Sequence, residues 1–473
     1  MATPSHTRRG RGRPHRGRDL ARGAPTRARL LALRVLERVE RSGAYADLLL
    51  NAQLSRSNLA AGDRAFATDL VNGTLRWRGR LDFLLTQLLE RDLEKLEPLV
   101  ANALRLGAYQ IVCNERVPNS AAVDQTVRCV RAAGAERATG LVNAVLRKLA
   151  SSHAEMALPE LAADPLGHLT HTLSLPPWLA DRWLSTLGAE EAAALATACN
   201  EIPPLTIRVN RLETSRDALL EALREHFPAA APCRFAIDGI VLGRRGNPAL
   251  DPAFLDGRYS VQDEAAQLVV ALLDPQPGEY VLDACAAPGG KACAIGERIG
   301  ASGSVVATDH NSRRLGLVRR QVRRLRLAAV HCVERDATQP LTDLVAAPGF
   351  DRVLVDAPCS GIGTLRRNPD ARWRVRPADA TRLAETQGQI LRNAASALRP
   401  GGTLVYSTCT LLREENEDVI AAFLAATPDF APAGTSCLPT ELHSLVSADS
   451  TLRCLPHRHD MDGFFAAKLV RAS

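Results

Sequence analysis

The chain has 473 residues, enough for two to four folded units at about 150 residues each. With 23% charged and 46% apolar residues it is neither wholly disordered nor fibrous, and no apolar run approaches the roughly 18 residues of a membrane-spanning helix. The formal charge of +7 sits at the start, where residues 1–30 carry nine Arg against one Asp, so the remainder is close to neutral.

That first stretch, residues 1–27, is rich in Arg, Gly and Pro and has almost nothing to bury. It is expected to be a disordered basic tail, either a solvated arm without a role or a nonspecific contact for a phosphate backbone. No apolar segment follows it as a secretory signal would require. The eleven cysteines are scattered, with no CxxC pair and no His at zinc spacing, and read as cytosolic thiols. A cytoplasmic chain with no membrane segment and no metal is therefore expected. Only four of the 59 basic residues are Lys (Lys95, Lys148, Lys291 and Lys468), which makes each retained Lys worth examining.

From 28 to 165 the apolar residues recur at helical spacing, as in Ala32, Val35, Leu36, Val39 and in Val142, Val145, Leu146, Leu149, and an all-α domain is predicted. Pro159, Pro165, Pro176 and Pro177 then punctuate a connector. Alternation at Leu205, Ile207 and Val209 predicts a strand. Thr214 and Asp217 resemble a capping box opening a helix from Arg216 to His226, and Gly239–Gly243 reads as another strand. Residues 166–254 are taken as this connector and small α/β subdomain. From 255 to 473, short β-branched runs ending at Asp283, Asp309, Asp356 and Thr408 alternate with helical segments, the pattern of a Rossmann-like parallel sheet covered on both faces. Ligands in such sheets lie beyond the carboxyl ends of the strands.

The first of these strands delivers Asp283-Ala-Cys-Ala-Ala-Pro-Gly-Gly-Lys291, small residues leading into a helix whose free N–H groups and close-approach backbone suit a ligand. It lacks the GxGxxG spacing of dinucleotide folds. Cys285 and Ala292 stand where a phosphate-binding P-loop has its first Gly and its Ser or Thr, so neither NAD nor ATP is favoured. Asp309 follows Asp283 by 26 residues, near the spacing at which an acid reaches a ribose diol, and Asp336 lies where a further strand should end. One acid after each successive strand suits a nucleoside.

Cys285–Lys291 (CAAPGGK), Asp356–Gly361 (DAPCSG), Ser407–Thr410 (STCT), Glu415–Glu417 (ENE) and Asp462–Phe465 (DGFF) together resemble the Sun family of S-adenosylmethionine-dependent RNA cytosine-C5 methyltransferases, over essentially all of 200–473. Gly62–Arg76 and Gly140–Leu149 look like the NusB-like helical RNA-binding domain of that family's ribosomal small-subunit RNA methyltransferase B branch. The resemblance implies S-adenosyl-L-methionine as cofactor, 16S ribosomal RNA as partner and cytosine 967 as the position, and a monomer is expected. It implies that Cys285, Ala286, Ala287, Pro288, Gly289, Gly290 and Lys291 line the methionine and ribose side of the cofactor. Asp309 would hold the ribose hydroxyls, Asp336 would lie near the adenine, and Asp356 would border both cofactor and target base. Ala292 and Thr410 depart from the usual Thr or Ser after the Lys and the usual Ser after the second cysteine.

Methylating cytosine at C5 calls for a thiolate that adds to C6, a group that neutralises charge building at N3 and a base that takes the C5 proton. Cys359 and Cys409 end adjacent strands 50 residues apart, and spacing alone does not choose between them. The resemblance makes Cys409 the nucleophile and gives Cys359 a part in breaking down the covalent adduct. Asp356 would hydrogen-bond N3 or N4 if desolvation keeps it protonated, and Lys291 would steer it or the thiolate by charge. Among the other cysteines, Cys285 and Cys293 sit in or beside the cofactor loop without a chemical part, and Cys113, Cys129, Cys199, Cys233, Cys332, Cys437 and Cys454 read as inert thiols.

The Arg-rich helix after Asp309 reads as a solvated face. Arg366, Arg367, Arg372 and Arg374, close after Cys359, are the better candidates for phosphate contacts, with Trp373 stacking on a base or lying in the core. Two other readings compete: a transfer RNA substrate with the same chemistry, and a noncatalytic RNA-binding ribosome assembly factor that keeps the fold as a scaffold. No His in either cysteine motif identifies the base that activates Cys409.

Overall fold

The computed structural model describes residues 25–244, 247–345, 348–434, 442–447 and 449–473. The basic tail up to residue 24 and Cys437 lie outside them. The chain divides into two units, one reaching to Thr74 and continuing over Leu81–Met156, the other made of Leu75–Arg80 and Ala157–Ser473.

The first unit is helical. Its centre is Pro98–Val112, buried at every position from Leu99 to Ile111, on which the helices Arg27–Ser42, Asn119–Ala132 and Thr139–Ser152 pack. Of the predicted stripes, Ala32, Val35, Leu36, Val142, Val145, Leu146 and Leu149 are buried and Val39 is half-buried. Arg105 enters this core with its charge met by Asp82 at 2.7 Å and Glu40 at 3.0 Å, and those two acids outweigh the desolvation that opposes its ionisation.

In the second unit the proline-punctuated stretch holds two helices, Pro177–Leu187 and Ala189–Ala198, rather than connector alone. Pro177 occupies the first turn, where a missing N–H costs nothing. A small antiparallel sheet follows, of β1 (Leu205–Val209), β2 (Ala231–Pro232), β3 (Gly239–Gly243) and β4 (Tyr259–Val261), in the order β2-β3-β1-β4. Because β4 pairs with β1, this sheet reaches past the boundary drawn after 254; a three-residue strand is too short to show alternation. The helix expected over Arg216–His226 ends at Leu223, and Ser215, not Thr214, caps it by accepting the Ala218 N–H.

The large sheet contains β5 (Tyr280–Asp283), β6 (Ser304–Asp309), β7 (Val330–Glu334), β8 (Phe350–Asp356), β9 (Leu398–Thr408), β10 (Phe430–Pro432), β11 (Thr451–Cys454) and β12 (Phe464–Arg471). Its order is β10-β12-β9-β8-β5-β6-β7, with β11 paired to β12. The pairs among β5, β6, β7, β8 and β9 are parallel, and β12 runs antiparallel to β9. Successive residues face opposite cores: Val281, Val305 and Leu354 meet the helices Glu264–Leu273 and Gly290–Ile299, whereas Leu282, Val353 and Val355 meet Pro377–Ser396. Strand order reverses between β5 and β8, so the loops after β5 and β6 fall on one side of the crevice and those after β8 and β9 on the other.

Candidate active site

The loop after β5 is pinned to its neighbours, with Ala284 N–H donating to Leu354 O (2.9 Å) and Ala286 N–H to Thr308 O (2.7 Å). Gly289 adopts φ +111°, and a Cβ there would stand 3.1 Å from Val318 Cα, so this turn requires glycine. The helix Gly290–Ile299 starts at once. Two arginines that the motif does not contain hold the loop from outside. Arg314 donates to Ala287 O (3.0 Å), and Arg208 of β1 donates to Gly290 O (2.9 Å) while making two bonds to Glu297 (2.7 and 3.1 Å).

The three acids expected to face a nucleoside differ in access. Asp309 is nearly buried and accepts the Asn311 N–H at 2.9 Å, while Asp336 is exposed, with one oxygen taking both the N–H and the hydroxyl of Thr338. Those Thr338 bonds lower the Asp336 pKa. Asp283 is wholly buried and so does not face a ligand. A loop of small residues with a glycine that admits no Cβ, an uncapped helix start and Asp309 at the end of β6 together fit an amino acid joined to a ribose.

Burial, followed by the charge of Asp356, pushes Asp283 up to about 7 despite Lys291 nearby. A carboxyl raised in the folded state contributes stability that is complete below the ordinary value of 3.8 and is lost as pH rises to about 7. The whole span corresponds to about 4 kcal/mol at most. Asp283→Asn is therefore expected to gain thermal stability relative to the parent as pH is raised from 5 to 8. Parallel melting curves across that range would contradict it.

Parallel pairing of β8 with β9 sets Asp356 beside Ser407. Ser407 Oγ donates to Asp356 Oδ1 (2.9 Å) and Lys291 Nζ to Oδ2 (2.7 Å), so both oxygens are acceptors, which is the bonding of a carboxylate. Burial works against the Lys291 charge, but Asp356, with Cys409 and Asp283, more than offsets it and raises the Lys291 pKa. The ammonium also lies 4.9 Å from the centre of the Phe464 ring.

Cys359 and Cys409 come together with their sulfurs 3.3 Å apart, a hydrogen-bonding distance and well beyond the roughly 2 Å of a disulfide. The bond to Cys409, then burial, pushes the Cys359 thiol well up. Cys409 is fixed through its backbone: Gly363 N–H donates to Cys409 O (3.0 Å), and Gly463 N–H to Gly363 O (2.8 Å). A Cβ on Gly363 would lie 2.0 Å from Gly463 O. Nothing in local sequence singles out Gly363, because its constraint comes from a segment 100 residues away. Burial, followed by Asp283, raises Cys285, in keeping with a cofactor-loop residue without a chemical part. None of the ten described cysteines is in a disulfide.

The arginines expected to meet phosphate are structural instead. Arg366 is fully buried and bonds Asp460 (2.6 Å), and Arg367 spans Asp263 (2.6 Å) and Asp462 (2.7 Å). Arg372, also fully buried, donates to the carbonyls of Arg76 (3.2 Å), Ser174 (3.0 Å) and Cys199 (3.2 Å) and to Asn200 Oδ1 (2.9 Å). Arg374 faces Asp370 at 3.6 Å, and Trp373, half-buried, donates Nε1–H to Leu75 O (2.6 Å) with the Arg78 guanidinium 5.5 Å from its ring. The reason is packing: Ile362, Leu365, Ala371 and Val375 carry this segment into the apolar cluster of Leu179, Trp183 and Leu195. In the helix Ser312–Arg324, Arg313, Arg319, Arg320 and Arg323 are exposed as expected, but Arg324 is drawn to Phe254 O (2.7 Å) and Tyr259 O (2.9 Å). No group of His, Cys, Asp and Glu among the described residues could hold a metal, and no described helix is long and apolar enough to cross a membrane.

Comparison with known proteins meets this picture over most of the chain. Residues 270–470 match the 16S rRNA methyltransferase RsmB/F family, 26–151 the NusB family, and 175–247 a ferredoxin-like domain of RsmF/B-like methyltransferases. The chain is 36% identical to a probable ribosomal RNA small subunit methyltransferase B of Bacillus subtilis, over 94% of this chain and 98% of the relative. It is 38% identical to ribosomal RNA small subunit methyltransferase B of Pseudomonas putida, over 94% and 98%. Among solved structures, PH0851 superposes with a TM-score of 0.77 at 25% identity, covering 93% of this chain and 98% of that one. A methyltransferase homolog from Pyrococcus horikoshii superposes at 0.55 and 30% identity, covering 63% and 96%.

Proposed function

The chain belongs to the 16S rRNA methyltransferase RsmB/F family, and on that premise we propose that it methylates C5 of a cytosine in 16S ribosomal RNA, at cytosine 967, as a cytoplasmic monomer using S-adenosyl-L-methionine. The observation that carries the reading is the pair of thiols at 3.3 Å beside the Lys291–Asp356 ion pair, at the ends of β8 and β9. Cys285–Lys291, Asp309, Asp336 and Asp356 would hold the cofactor, which would supply an electrophilic methyl group when bound.

Cytosine C5 is too poor a nucleophile until C6 is attacked. Cys409 adds to C6 as thiolate, and the C5–C6 electron pair becomes available at C5 while charge develops toward N3. In this reading Asp356 accepts from the N4 amino group, and the Lys291 ammonium supports the thiolate and the developing anion. Once C5 carries the methyl group, a base takes its proton, the C5–H electron pair re-forms the C5–C6 double bond, and the C6–S electron pair returns to Cys409. Cys359, in contact with the departing sulfur, assists this step. A thiol cannot reach C6 inside a helix, so the target base is single-stranded or flipped out.

The test is transfer from labelled S-adenosylmethionine to unmodified 16S RNA and transfer RNA in parallel, with nucleoside analysis. 5-Methylcytosine in 16S RNA alone is expected, and label confined to transfer RNA would overturn the substrate. No label in either RNA or in assembly particles, despite cofactor binding, would favour a scaffold. With Cys359→Ala, methylated product is expected to remain trapped on protein as a denaturant-stable adduct. Rapid release from that variant would remove the role given to Cys359.

A further inference from the structure

The Glu415–Asn416 pair has no part in the steps above, yet it touches both cysteine loops. Glu415 is wholly buried, and its Oε2 accepts the Ser360 N–H (2.9 Å) and the Gln387 amide (2.9 Å). Gln387 also donates to Pro358 O (2.9 Å), so the residues on either side of Cys359 are both tied to this acid. Ser360 Oγ is 2.7 Å from Thr410 Oγ1, next to Cys409. Asn416 closes the belt from the other loop, donating to Thr410 O (3.1 Å) and accepting from the Thr408 hydroxyl. Burial raises the Glu415 pKa while these donors oppose the rise, so the acid stays at a cost that an apolar residue filling the turn would avoid.

The two thiols do not depend on this belt equally. Cys409 directly follows β9 and has its carbonyl held by Gly363, whereas Cys359 lies in an irregular loop held near the thiol by the Glu415 and Gln387 bonds.

We propose that Glu415 is a positioning residue for the second half of the reaction, holding the Cys359 loop so that its thiol stays in reach of the adduct on Cys409. The inference rests on the reading of the two cysteines given above. Without the carboxylate, Cys409 still attacks, but Cys359 drifts and release slows.

The experiment is single-turnover methylation of 16S RNA by the full chain, following adduct formation and adduct release separately on denaturing gels. Glu415→Ala is expected to form adduct within about threefold of the parent rate and to release it at least about tenfold more slowly. Glu415→Gln is expected to rescue release, since its amide oxygen can accept both N–H groups while its NH2 faces the two hydroxyls. Adding Glu415→Ala to Cys359→Ala is expected to slow release no further than Cys359→Ala alone, because both act through one thiol. Gln387→Ala, which cuts only the link to Pro358, is expected to show the same imbalance in smaller degree and serves if Glu415→Ala does not fold. Release at the parent rate in Glu415→Ala or, if that variant is unfolded, in Gln387→Ala overturns the proposal, as does an equal loss of formation and release. A parent chain that makes no 5-methylcytosine would instead sink the functional reading, so the two failures are distinct.

Discussion

Cys409→Ala is expected to lower methyl transfer to 16S RNA by about 10⁴-fold or more and to abolish the covalent protein–RNA adduct. The size follows from what the thiolate does. Without addition at C6 there is no electron-rich C5, and positioning of base and donor alone does not supply one. Cys409→Ser is expected to fare little better, because a hydroxyl is far harder to ionise than a thiol and Lys291 must already serve the Asp356 carboxylate at 2.7 Å. Cys359→Ala is the internal contrast, since it leaves the nucleophile and should accumulate the adduct that Cys409→Ala cannot form. Adduct in Cys409→Ala, with none in Cys359→Ala, would exchange the two roles.

Arg372→Leu is expected to cost about 3–5 kcal/mol of stability, seen as a fall of about 10 °C in the melting temperature. The side chain is fully buried, and burial pulls its pKa down to about 10 because every acceptor around it is a carbonyl or an amide and none is a carboxylate. Leucine leaves the carbonyls of Arg76, Ser174 and Cys199 unmet at about 1 kcal/mol or more each, and opens a cavity where the guanidinium was. Arg313→Leu, on the exposed face of its helix, is expected to stay within about 0.5 kcal/mol of the parent. A stable Arg372→Leu that binds RNA poorly would return Arg372 to the phosphate-contact role.

Cys359 and Arg372 lie in one stretch of sequence and mark the two kinds of legibility. The alternation of apolar runs and helical segments was readable because strand and helix periods are local, and it located β5, β6, β8 and β9 with their terminal acids and cysteines. The loop chemistry of Cys285–Lys291 was readable for the same reason: small residues before a helix act through their own backbone. Burial of an arginine is not local. Arg366, Arg367 and Arg372 follow a reactive loop and carry charge, which in sequence suggests a surface, yet their partners at Asp460, Asp462 and Ser174 are 94 to 198 residues away.

By itself, then, the sequence determined the order and type of the main elements, the small-residue loop and the presence of two cysteines at strand ends, all of which depend on neighbours along the chain. Only the tertiary structure decided that the sulfurs stand 3.3 Å apart, that Asp356 is paired with Lys291, that Asp283 is wholly buried while Asp336 is exposed, and that Glu415 joins the two cysteine loops. Each of these depends on which distant backbone closes over a side chain. Desolvation and hydrogen-bond geometry, which set a group's charge and reach, arise only when those segments meet.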